Sequence, residues 1–397
     1  MSKVLIEFFD NDYLENIVPV LADSYDKIIY LFSKSIDGKD ALKNKSIITE
    51  FILRKTGVTP GFVEVDKIDS KVIISELEKL TDTENEFIFD ISGGSNVFIY
   101  SVGIFVQTYP FVDATVIQYD IGSGKLLYCS KKTGDNILNA NINLSVEEIL
   151  KLHDSGVILH DNIKIRYNLK KNNLCKEIQR LWDAVKNISK DWNSFNAMTH
   201  NVFETSDGLL KFTDKVDLKN SKSYNRVVNV LENKGIIFDV RNYADATSFF
   251  LDVPENARFL YQKGGNVLEM YCYSAAKECG AFTDVATGVE VDWDGEIKGV
   301  TEETTNEVDL LLVSGYIPVF VSCKNTVVQN NHLYEVNALV RHYCGKYAKK
   351  VLISTLPATV AIKNRAKDMD IVLIDNVNVI SFNNLKSKLA AIVEKYI

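Results

Sequence analysis

An acidic and a basic residue stand in two short apolar runs within residues 306–325, NEVDLLLVSGYIPVFVSCKN. Ser-Gly-Tyr joins the runs, which is the sequence pattern of a β-hairpin. Because side chains alternate between the faces of a strand, Asp309 shares a face with Glu307 in the first strand, and Lys324 shares a face with Ser322 in the second. A carboxylate and a lysine at the same end of adjacent strands favour a site that binds a metal ion beside a phosphate.

Carboxylates also occur on the helices predicted on either side of this hairpin. The helical pattern over 266–280 includes Glu269, and the one over about 331–343 includes Glu335. Hard divalent cations prefer oxygen ligands, and a few carboxylates leave positions for water and a phosphate oxygen. A metal there would make hydroxide available near neutral pH, and Lys324 would add a fixed positive charge beside the phosphate.

This order of helix, strands and helix resembles the PD-(D/E)xK nucleases, which have the restriction-endonuclease-like fold. The position two residues before the lysine is usually acidic in that pattern, and here it is Ser322. The missing ligand can come from Glu269 or Glu335, from Glu307, or from the backbone carbonyl of Cys323. The alternative for each charge is an ordinary structural role, as a solvated strand-end residue or as a salt-bridge partner on a helix.

A second candidate site is the segment Asp90-Ile-Ser-Gly-Gly-Ser-Asn96, where a predicted strand is followed by a helix. Consecutive glycines there let backbone N–H groups and the helix N-terminus face an anion. The spacing is neither that of a GxGxxG loop nor that of a P-loop. Asn11 follows the first strand, and open α/β sheets bind ligands at the carboxyl ends of their strands. The alternative is a tight turn that packs the helix on the sheet.

The pattern of elements divides the chain into three parts. Residues 1–143 alternate strands with helices, which predicts a parallel, doubly wound α/β sheet of Rossmann-like type that closes with a hairpin. Residues 144–252 are more polar and contain an amphipathic helix over 174–190. A helix, a strand and a wing over 224–240 are compatible with a winged-helix-like connector. Residues 253–397 form a second α/β domain around the first candidate site.

Composition excludes several classes of protein. The 397 residues are 46% hydrophobic and 25% charged, which is ordinary for a globular protein of two or three domains. No apolar run approaches the ~20 residues that span a bilayer, and the N-terminus lacks the apolar region of a signal peptide, so no membrane contact is expected. The six cysteines form no CxxC pair, so we expect free thiols and a cytoplasmic location. The net charge of −8 argues against a protein that coats nucleic acid, but it allows an enzyme that binds a few phosphates.

The two candidate sites together resemble those of a known family. The D-x-[ST]-G-G-[ST] turn in an N-terminal Rossmann-like unit resembles the CRISPR-associated Rossmann fold (CARF) sensors, whose ligands are cyclic oligoadenylates. The C-terminal stretches LEMYCYSAAKECGAFTDVATGVEVDW, TTNEVDLLLV, VSCKN and LYEVNAL resemble the nuclease half of the Can/Card proteins. Those proteins join a CARF domain to a PD-(D/E)xK domain in type III CRISPR systems.

The resemblance implies a homodimer that binds cyclic tetra-adenylate across the CARF two-fold axis. Binding would activate cleavage of single-stranded RNA, DNA or both with Mn²⁺ or Mg²⁺. It implies a metal-binding role for Glu269 and Asp309, a charge-stabilising role for Lys324 and a supporting role for Glu335, with the Cys323 carbonyl as a further ligand. The residues implied in binding the activator are Asn11, Ser92, Gly93, Gly94, Ser95 and Asn96. The assignment of Asn11 rests on its position in the sequence and not on a motif.

The main alternative is a CARF-type transcription regulator with an inactive nuclease-like domain, which Ser322 would explain. The 224–240 segment would then bind DNA, but it and its flank offer only Arg226, Lys234 and Arg241, which are few for duplex binding dominated by phosphate contacts. The C-terminal cations that could meet substrate phosphates are Lys346, Lys349, Lys350, Lys363, Arg365 and Lys367. A solvated face is the alternative for this cluster.

Overall fold

The structure is a computed structural model in which three sheets alternate with helices. It describes residues 1–33, 40–66, 68–110, 112–130, 134–139, 141–155, 157–158, 165–199, 203–206, 209–214, 222–242, 247–251, 253–262, 265–292, 305–343 and 345–394. Within these ranges, no helix is both long enough and apolar enough to cross a bilayer.

The N-terminal sheet has the strand order β3-β2-β1-β4-β5-β6-β7. Its strands are β1 (Lys3–Phe8), β2 (Lys27–Phe32), β3 (Gly61–Glu64), β4 (Glu86–Asp90), β5 (Asp113–Asp120), β6 (Lys125–Ser130) and β7 (Gly134–Asn139). The helices between them are α1 (Tyr13–Ala22), α2 (Asp40–Thr56), α3 (Ser70–Leu80) and α4 (Asn96–Thr108). Strands β1 to β5 pair in parallel, as predicted, and β6 and β7 extend the sheet as antiparallel strands.

The order of the N-terminal sheet reverses at β1. The chain runs from β1 outward to β2 and β3, and returns to the other side of β1 as β4. The loops that follow β1 and β4 therefore lead in opposite directions and open a crevice at the carboxyl ends of these strands. Both faces of the sheet are covered, one by α1 and α2 and the other by α3 and α4, as a parallel sheet requires.

The middle part consists of helices and a small antiparallel sheet. Ser145 and Glu148 form the expected capping box at the start of α5 (Val146–Leu152). A 3₁₀ turn at Lys186–Ile188 divides the helix predicted over 174–190 into two. The further helices are α6 (Leu174–Val185), α7 (Ser189–Thr199) and α8 (Lys222–Asn233), and the sheet order β10-β11-β9-β8 is made by β8 (Phe203–Ser206), β9 (Leu209–Asp214), β10 (Ile237–Asn242) and β11 (Thr247–Leu251).

The C-terminal sheet is mixed and runs in the order β12-β13-β14-β15-β16. Its strands are β12 (Asp284–Asp292), β13 (Thr305–Ser314), β14 (Ile317–Lys324), β15 (Lys349–Ser354) and β16 (Ile371–Ile374). The helices are α9 (Phe259–Gln262), α10 (Asn266–Cys279), α11 (Asn330–Tyr343), α12 (Val360–Asp368) and α13 (Phe382–Ala390). α10 packs on one face and α11 on the other. This is the predicted restriction-endonuclease-like arrangement, with an antiparallel β13–β14 hairpin and a parallel β14–β15 pair.

One apolar core extends from the N-terminal sheet into the C-terminal sheet. It includes Leu5 of β1, Ile149 of α5 and Leu311 of β13, all 1% exposed or less. In the turn between β13 and β14, the hydroxyl of Tyr316 donates to the carbonyl of Ile121 at 2.9 Å. The hairpin that carries Asp309 at one end therefore contacts the N-terminal domain at the other.

Candidate functional site

The C-terminal candidate site begins where β13 and β14 stop pairing. Their backbone ladder ends at Leu310, opposite Val321. Beyond that point the N–H of Cys323 donates to Asp309 Oδ2 at 2.6 Å, and Ser322 Oγ donates to the same oxygen at 3.2 Å. The carboxylate of Asp309 thus replaces a backbone partner and is held by β14 itself.

Strand β12 is irregular directly opposite Asp309. Gly288 and Asp309 are the pair missing from an otherwise continuous β12–β13 ladder, and Gly288 has φ of +57°. This left-handed conformation costs an ordinary residue about 1 kcal/mol or more, but not glycine. Thr287 Oγ1 donates to the carbonyl of Asp309 at 3.0 Å. A lone glycine within a strand pattern is the only sequence signal for this irregularity.

A narrow cleft on the α11 side of the hairpin brings together most of the predicted catalytic side chains. Its lining includes Glu307, Asp309, Ser322 and Glu335. The ammonium of Lys324 lies 3.4 Å from Glu335 Oε2, and the glutamate side chain is half exposed. An exposed pair of this kind contributes at most about 1 kcal/mol, so Lys324 can exchange Glu335 for a phosphate at little cost.

Burial dominates the electrostatics of the cleft. It raises the pKa of Asp309, while the Cys323 N–H and the charge of Lys324 lower it and Glu307 raises it. Burial also lowers the pKa of His332 on α11, and the charge of Lys324 lowers it further. Both effects favour the neutral imidazole of His332, next to Lys324.

Glu269 lies on the other side of the sheet from this cleft. α10 packs on the face that carries the Cys323 side chain. Glu269 Oε1 is 2.7 Å from where a Cβ on Gly265 would be, so the carboxylate folds back on the start of its own helix. The Cys272 thiol lies within hydrogen-bonding distance of Cys323, and burial, then Cys272, Asp309 and Glu269, raise the pKa of the Cys323 thiol. Both predicted metal-binding carboxylates thus raise the pKa of the Cys323 thiol, Asp309 from the α11 side of the sheet and Glu269 from the α10 side.

Among the described residues, no group of three or more His, Cys, Asp or Glu side chains could hold a metal ion. The donors around residue 323 are instead a few carboxylates and the backbone carbonyl of Cys323, because the buried Cys323 thiol faces Cys272. These oxygen donors are of the kind that Mg²⁺ and Mn²⁺ prefer. The choice of metal ligands stays a prediction.

The predicted cluster of C-terminal cations is largely engaged within the chain. Lys346 contacts α1, Lys350 Nζ donates to the carbonyl of Met369 at 2.6 Å, and Lys363 pairs with Asp375 at 2.9 Å. These contacts favour a structural role for the three lysines.

The N-terminal candidate site lies in the crevice between β1 and β4. Gly94 has φ of +87°, and its N–H donates to Asp10 Oδ2 at 3.0 Å. Ser95 caps α4 with its side chain, and Ser92 Oγ accepts from the N–H of Tyr119 at 2.6 Å. The turn from Ser92 to Asn96 is therefore held by Asp10, by β5 and by the cap of α4, and the exposed Asn11 lies in the loop that follows β1.

Buried acids lie beneath this turn. Glu7 and Asp90 are neighbours across β1 and β4, each is 1% exposed, and each has an oxygen without a hydrogen-bond partner among the described residues. Burial raises the pKa of Asp90 to about 7 and that of Glu7 well above its usual range. Burial also raises the pKa of Asp12 to about 6. Protonation of these groups near neutral pH reduces the negative charge that an anionic ligand would meet.

Comparison with known proteins agrees with this picture. Residues 254–393 match the family model of the Card1-like endonuclease domain. No curated protein matches the sequence significantly.

Solved structures with the same fold extend over nearly the whole chain. Protein VC1899 from Vibrio cholerae is 16% identical, with a TM-score of 0.74 over 98% of this chain and 97% of that one. Can2 from Sulfobacillus thermosulfidooxidans, solved in complex with cyclic tetra-adenylate, is 14% identical, with a TM-score of 0.65 over 99% of each chain. A type III CRISPR defence DNA nuclease activated by cyclic oligoadenylate is 12% identical, with a TM-score of 0.50 over 94% of this chain and 48% of that one.

At these identities the structural likeness shows the fold, and the family model adds the nature of the C-terminal domain. The chain therefore has the same fold as Can2 from Sulfobacillus thermosulfidooxidans, and its residues 254–393 match the family model of the Card1-like endonuclease domain.

Proposed function

We propose that the protein is a nuclease of type III CRISPR defence that cyclic tetra-adenylate activates and that cuts single-stranded RNA, DNA or both with Mn²⁺ or Mg²⁺. One observation carries the proposal. The carboxylate of Asp309 is held by the N–H of Cys323, directly before Lys324, inside a Card1-like endonuclease domain. The Can2 complex with cyclic tetra-adenylate, whose fold matches over 99% of this chain, supports the choice of activator.

We infer that Glu269, Asp309 and the carbonyl of Cys323 would hold a hard divalent cation, because all three supply oxygen donors and the two carboxylates approach residue 323 from opposite sides of the sheet. When bound, such an ion supplies an activated water near neutral pH and offsets charge on the phosphate. Lys324 would leave its weak pair with Glu335 and bind a phosphate oxygen in the cleft. The two hydrogen bonds to Asp309 Oδ2 keep its carboxylate oriented while substrate binds.

The activator would bind in the crevice at the carboxyl ends of β1 and β4, against Asn11 and residues 92–96. Raised pKa values at Asp12 and Asp90 lower the electrostatic cost of bringing phosphates to this crevice. Cyclic tetra-adenylate has two equivalent halves, so a homodimer would offer one crevice to each half.

The regulator alternative has less support. Arg226 pairs with Asp191 at 2.8 Å, and Arg241 pairs with Asp239 at 2.7 Å. Two of the three cations expected to bind DNA phosphates thus already have acidic partners.

The decisive experiment is cleavage of labelled single-stranded RNA and DNA by the full-length protein with Mn²⁺, with and without cyclic tetra-adenylate. We expect cleavage that depends on both the metal and the activator. Lys324→Ala should lower the rate at least about 100-fold, because it removes a charge that acts on the transition state. Lys277→Ala, at an exposed position of α10, is the matched control.

Each outcome bears on a different part of the proposal. Cleavage by Lys324→Ala at the wild-type rate would refute the assignment of Lys324 to the catalytic site. Full cleavage without activator would refute the gating but not the nuclease. Salt-sensitive binding of duplex DNA without any cleavage would favour the regulator.

A further inference from the structure

We propose that Asn193 and Asn325 are positioning residues that hold Lys324 in its catalytic place, so that connector helix α7 helps to set the geometry of the nuclease site. The inference rests on the proposed role of Lys324 in phosphodiester cleavage. It is carried by a set of hydrogen bonds around the residue that follows the lysine.

The side chains of Asn193 and Asn325 form a reciprocal pair. Asn325 Nδ2 donates to Asn193 Oδ1 at 2.8 Å, and Asn193 Nδ2 donates to the backbone carbonyl of Asn325 at 2.9 Å. An amide group has a donor and an acceptor at a fixed spacing, and Asn193 uses both on the same residue. This two-point contact restrains the side chain and the main chain of Asn325 together.

Thr355, the residue that follows strand β15, holds the same segment from another direction. Thr355 Oγ1 donates to Asn325 Oδ1 at 2.6 Å, and the N–H of Thr355 donates to the carbonyl of Lys324 at 3.1 Å. One residue earlier, the N–H of Cys323 is bonded to Asp309. The backbone is therefore bonded at each of three consecutive residues, with the lysine in the middle.

The position of Lys324 needs such support because its pairing with β13 has ended. The β13–β14 ladder stops at Val321, so beyond that residue β14 pairs along its backbone with β15 alone, up to Lys324 opposite Ser354. A lysine side chain is long and flexible, and misplacement of a catalytic group by about 1 Å can cost about 100-fold in rate. The contact between Asn193 and Asn325 takes the place of the backbone bonds to β13 beside Lys324, whose position must be precise.

Asn193 is itself well anchored. Its neighbours on α7, Trp192 and Phe195, are 0% and 1% exposed in the core that α7 shares with α10 and β14. Asn193 therefore has a defined position, and a shift of α7 relative to the sheet would be passed to Lys324 through Asn325.

The test compares single-turnover and steady-state cleavage by wild type and Asn193→Ala at saturating activator and Mn²⁺. We expect kcat to fall about 10- to 100-fold while KM for the oligonucleotide changes little, because the lysine is misplaced and the binding surface is kept. Thr355→Val, which removes the hydroxyl donor to Asn325, should lower kcat in the same way. Ser194→Ala is the matched control, since that hydroxyl donates to Lys190 within α7 at 3.1 Å.

A double-mutant cycle separates positioning from a merely structural role. If Asn193 acts through Lys324, Asn193→Ala should cause no further loss of rate in the Lys324→Ala background. Unchanged kcat in both Asn193→Ala and Thr355→Val, or a full multiplicative loss in the Lys324→Ala background, would overturn the proposal. Failure of the proposed function looks different, because Lys324→Ala would then cleave at the wild-type rate.

Discussion

The phenolic hydroxyl of Tyr347, in the C-terminal domain, donates to Glu15 Oε1 of the N-terminal domain at 2.6 Å. The ammonium of Lys346 contacts the same oxygen. The other oxygen, Oε2, lies 3.0 Å from where a Cβ on Gly93 would be. Glu15, which is 5% exposed, therefore lies beside the predicted activator-binding turn and is bonded to the residues that lead into β15. If the activator displaces Gly93, we expect Glu15 to pass that displacement to the C-terminal domain.

We predict that Tyr347→Phe weakens the response to the activator. Coupling between two sites is typically about 1–3 kcal/mol, similar to a hydrogen bond to a charged group, so loss of this bond should lower the ratio of activated to basal rate about 5-fold or more. The measurement is cleavage rate against cyclic tetra-adenylate concentration. Tyr13→Phe removes a comparable hydroxyl, which donates to the side chain of Asn44 at 2.6 Å within the N-terminal domain, and should keep the wild-type ratio. Equal ratios in both variants would disprove the link.

Removal of the charge at Asp309 should abolish activity without loss of folding. Asp309→Asn keeps an oxygen that can accept from Cys323 N–H and Ser322 Oγ, so we expect the free energy of unfolding to stay near that of wild type. The rate should fall at least about 100-fold. Cleavage assays and urea denaturation check the two statements, with Asp368→Asn on the exposed face of α12 as control. A variant that cleaves normally would exclude Asp309 as a metal ligand.

Variants of two glutamates should show which carboxylate binds the metal in place of the acid that is absent at Ser322. Glu269 approaches from the α10 side, whereas Glu307 lines the cleft with Asp309. If Glu269 is the ligand, Glu269→Gln should raise the Mn²⁺ concentration needed for half-maximal cleavage about 10-fold or more, and Glu307→Gln should leave it unchanged. The opposite pattern would assign the ligand to Glu307. Titration of Mn²⁺ in the cleavage assay measures this directly.

Two glycines near α4 should respond to alanine with opposite signs. A Cβ on Gly94 would lie 2.8 Å from Phe8 Cβ at φ of +87°, so Gly94→Ala should cost about 1–3 kcal/mol and weaken activator binding. Gly103, within α4, has open space at its Cβ position, so Gly103→Ala should raise the free energy of unfolding by about 0.5–1 kcal/mol. Chemical denaturation of both variants is the measurement. The same sign in both would contradict the described geometry of the turn.

The guanidinium of Arg166 joins α5 to β12, with bonds of 2.6 and 2.8 Å to Glu147 and of 3.0 and 2.6 Å to Asp284. Burial alone would raise the carboxyl pKa values, but the bonds from Arg166 leave both below their usual range. The bonds from Arg166 therefore stabilise the folded protein fully above the ordinary carboxyl pKa of about 4. This stabilisation is lost as the pH falls through the lowered pKa values of Glu147 and Asp284.

Arg166→Met should therefore destabilise the protein by about 1–3 kcal/mol at pH 7, and the difference from wild type should shrink at low pH. Urea denaturation at pH 7 and at progressively lower pH measures it. Arg241→Met, which breaks the more exposed pair with Asp239, should cost less than about 1 kcal/mol. A pH-independent difference at Arg166 would show that the side chain contributes by packing alone.

Asp90 should make the protein less stable as pH rises. Burial raises its pKa to about 7, so stability is complete below the ordinary pKa of about 4 and declines as pH rises through about 7. Asp90→Asn cannot ionise and keeps an oxygen for the N–H of Ser92, so between pH 5 and 8 it should lose less stability than wild type. Glu78→Gln, at an exposed position of α3, should behave like wild type. Parallel pH dependence in Asp90→Asn and wild type would contradict the raised pKa.

Most helices and strands around the two sites follow from local patterns. The apolar runs of β1, β2 and β4, the β13–β14 hairpin and the glycine turn before α4 appear at the predicted places. Strand β7 is absent from the prediction, because GDNILN has no alternating apolar pattern and pairs as a sheet edge through contact with β6. The break between α6 and α7 likewise has no glycine or proline to mark it.

The residue types of the C-terminal candidate site and their order along the chain could be read from the amino acids alone. Strand alternation is a local property, and it places Asp309 on one face of β13 with Glu307, and Ser322 on one face of β14 with Lys324. The pairing of β13 with β14 and the packing of α11 bring these two faces to the same side of the sheet. Their partners were not readable. Ser322 donates to Asp309, Lys324 pairs with Glu335, and Asn193 reaches Asn325 across 132 positions of the chain. Such contacts depend on how α7, α10 and α11 pack on the sheet, and no periodicity within a single segment contains that information.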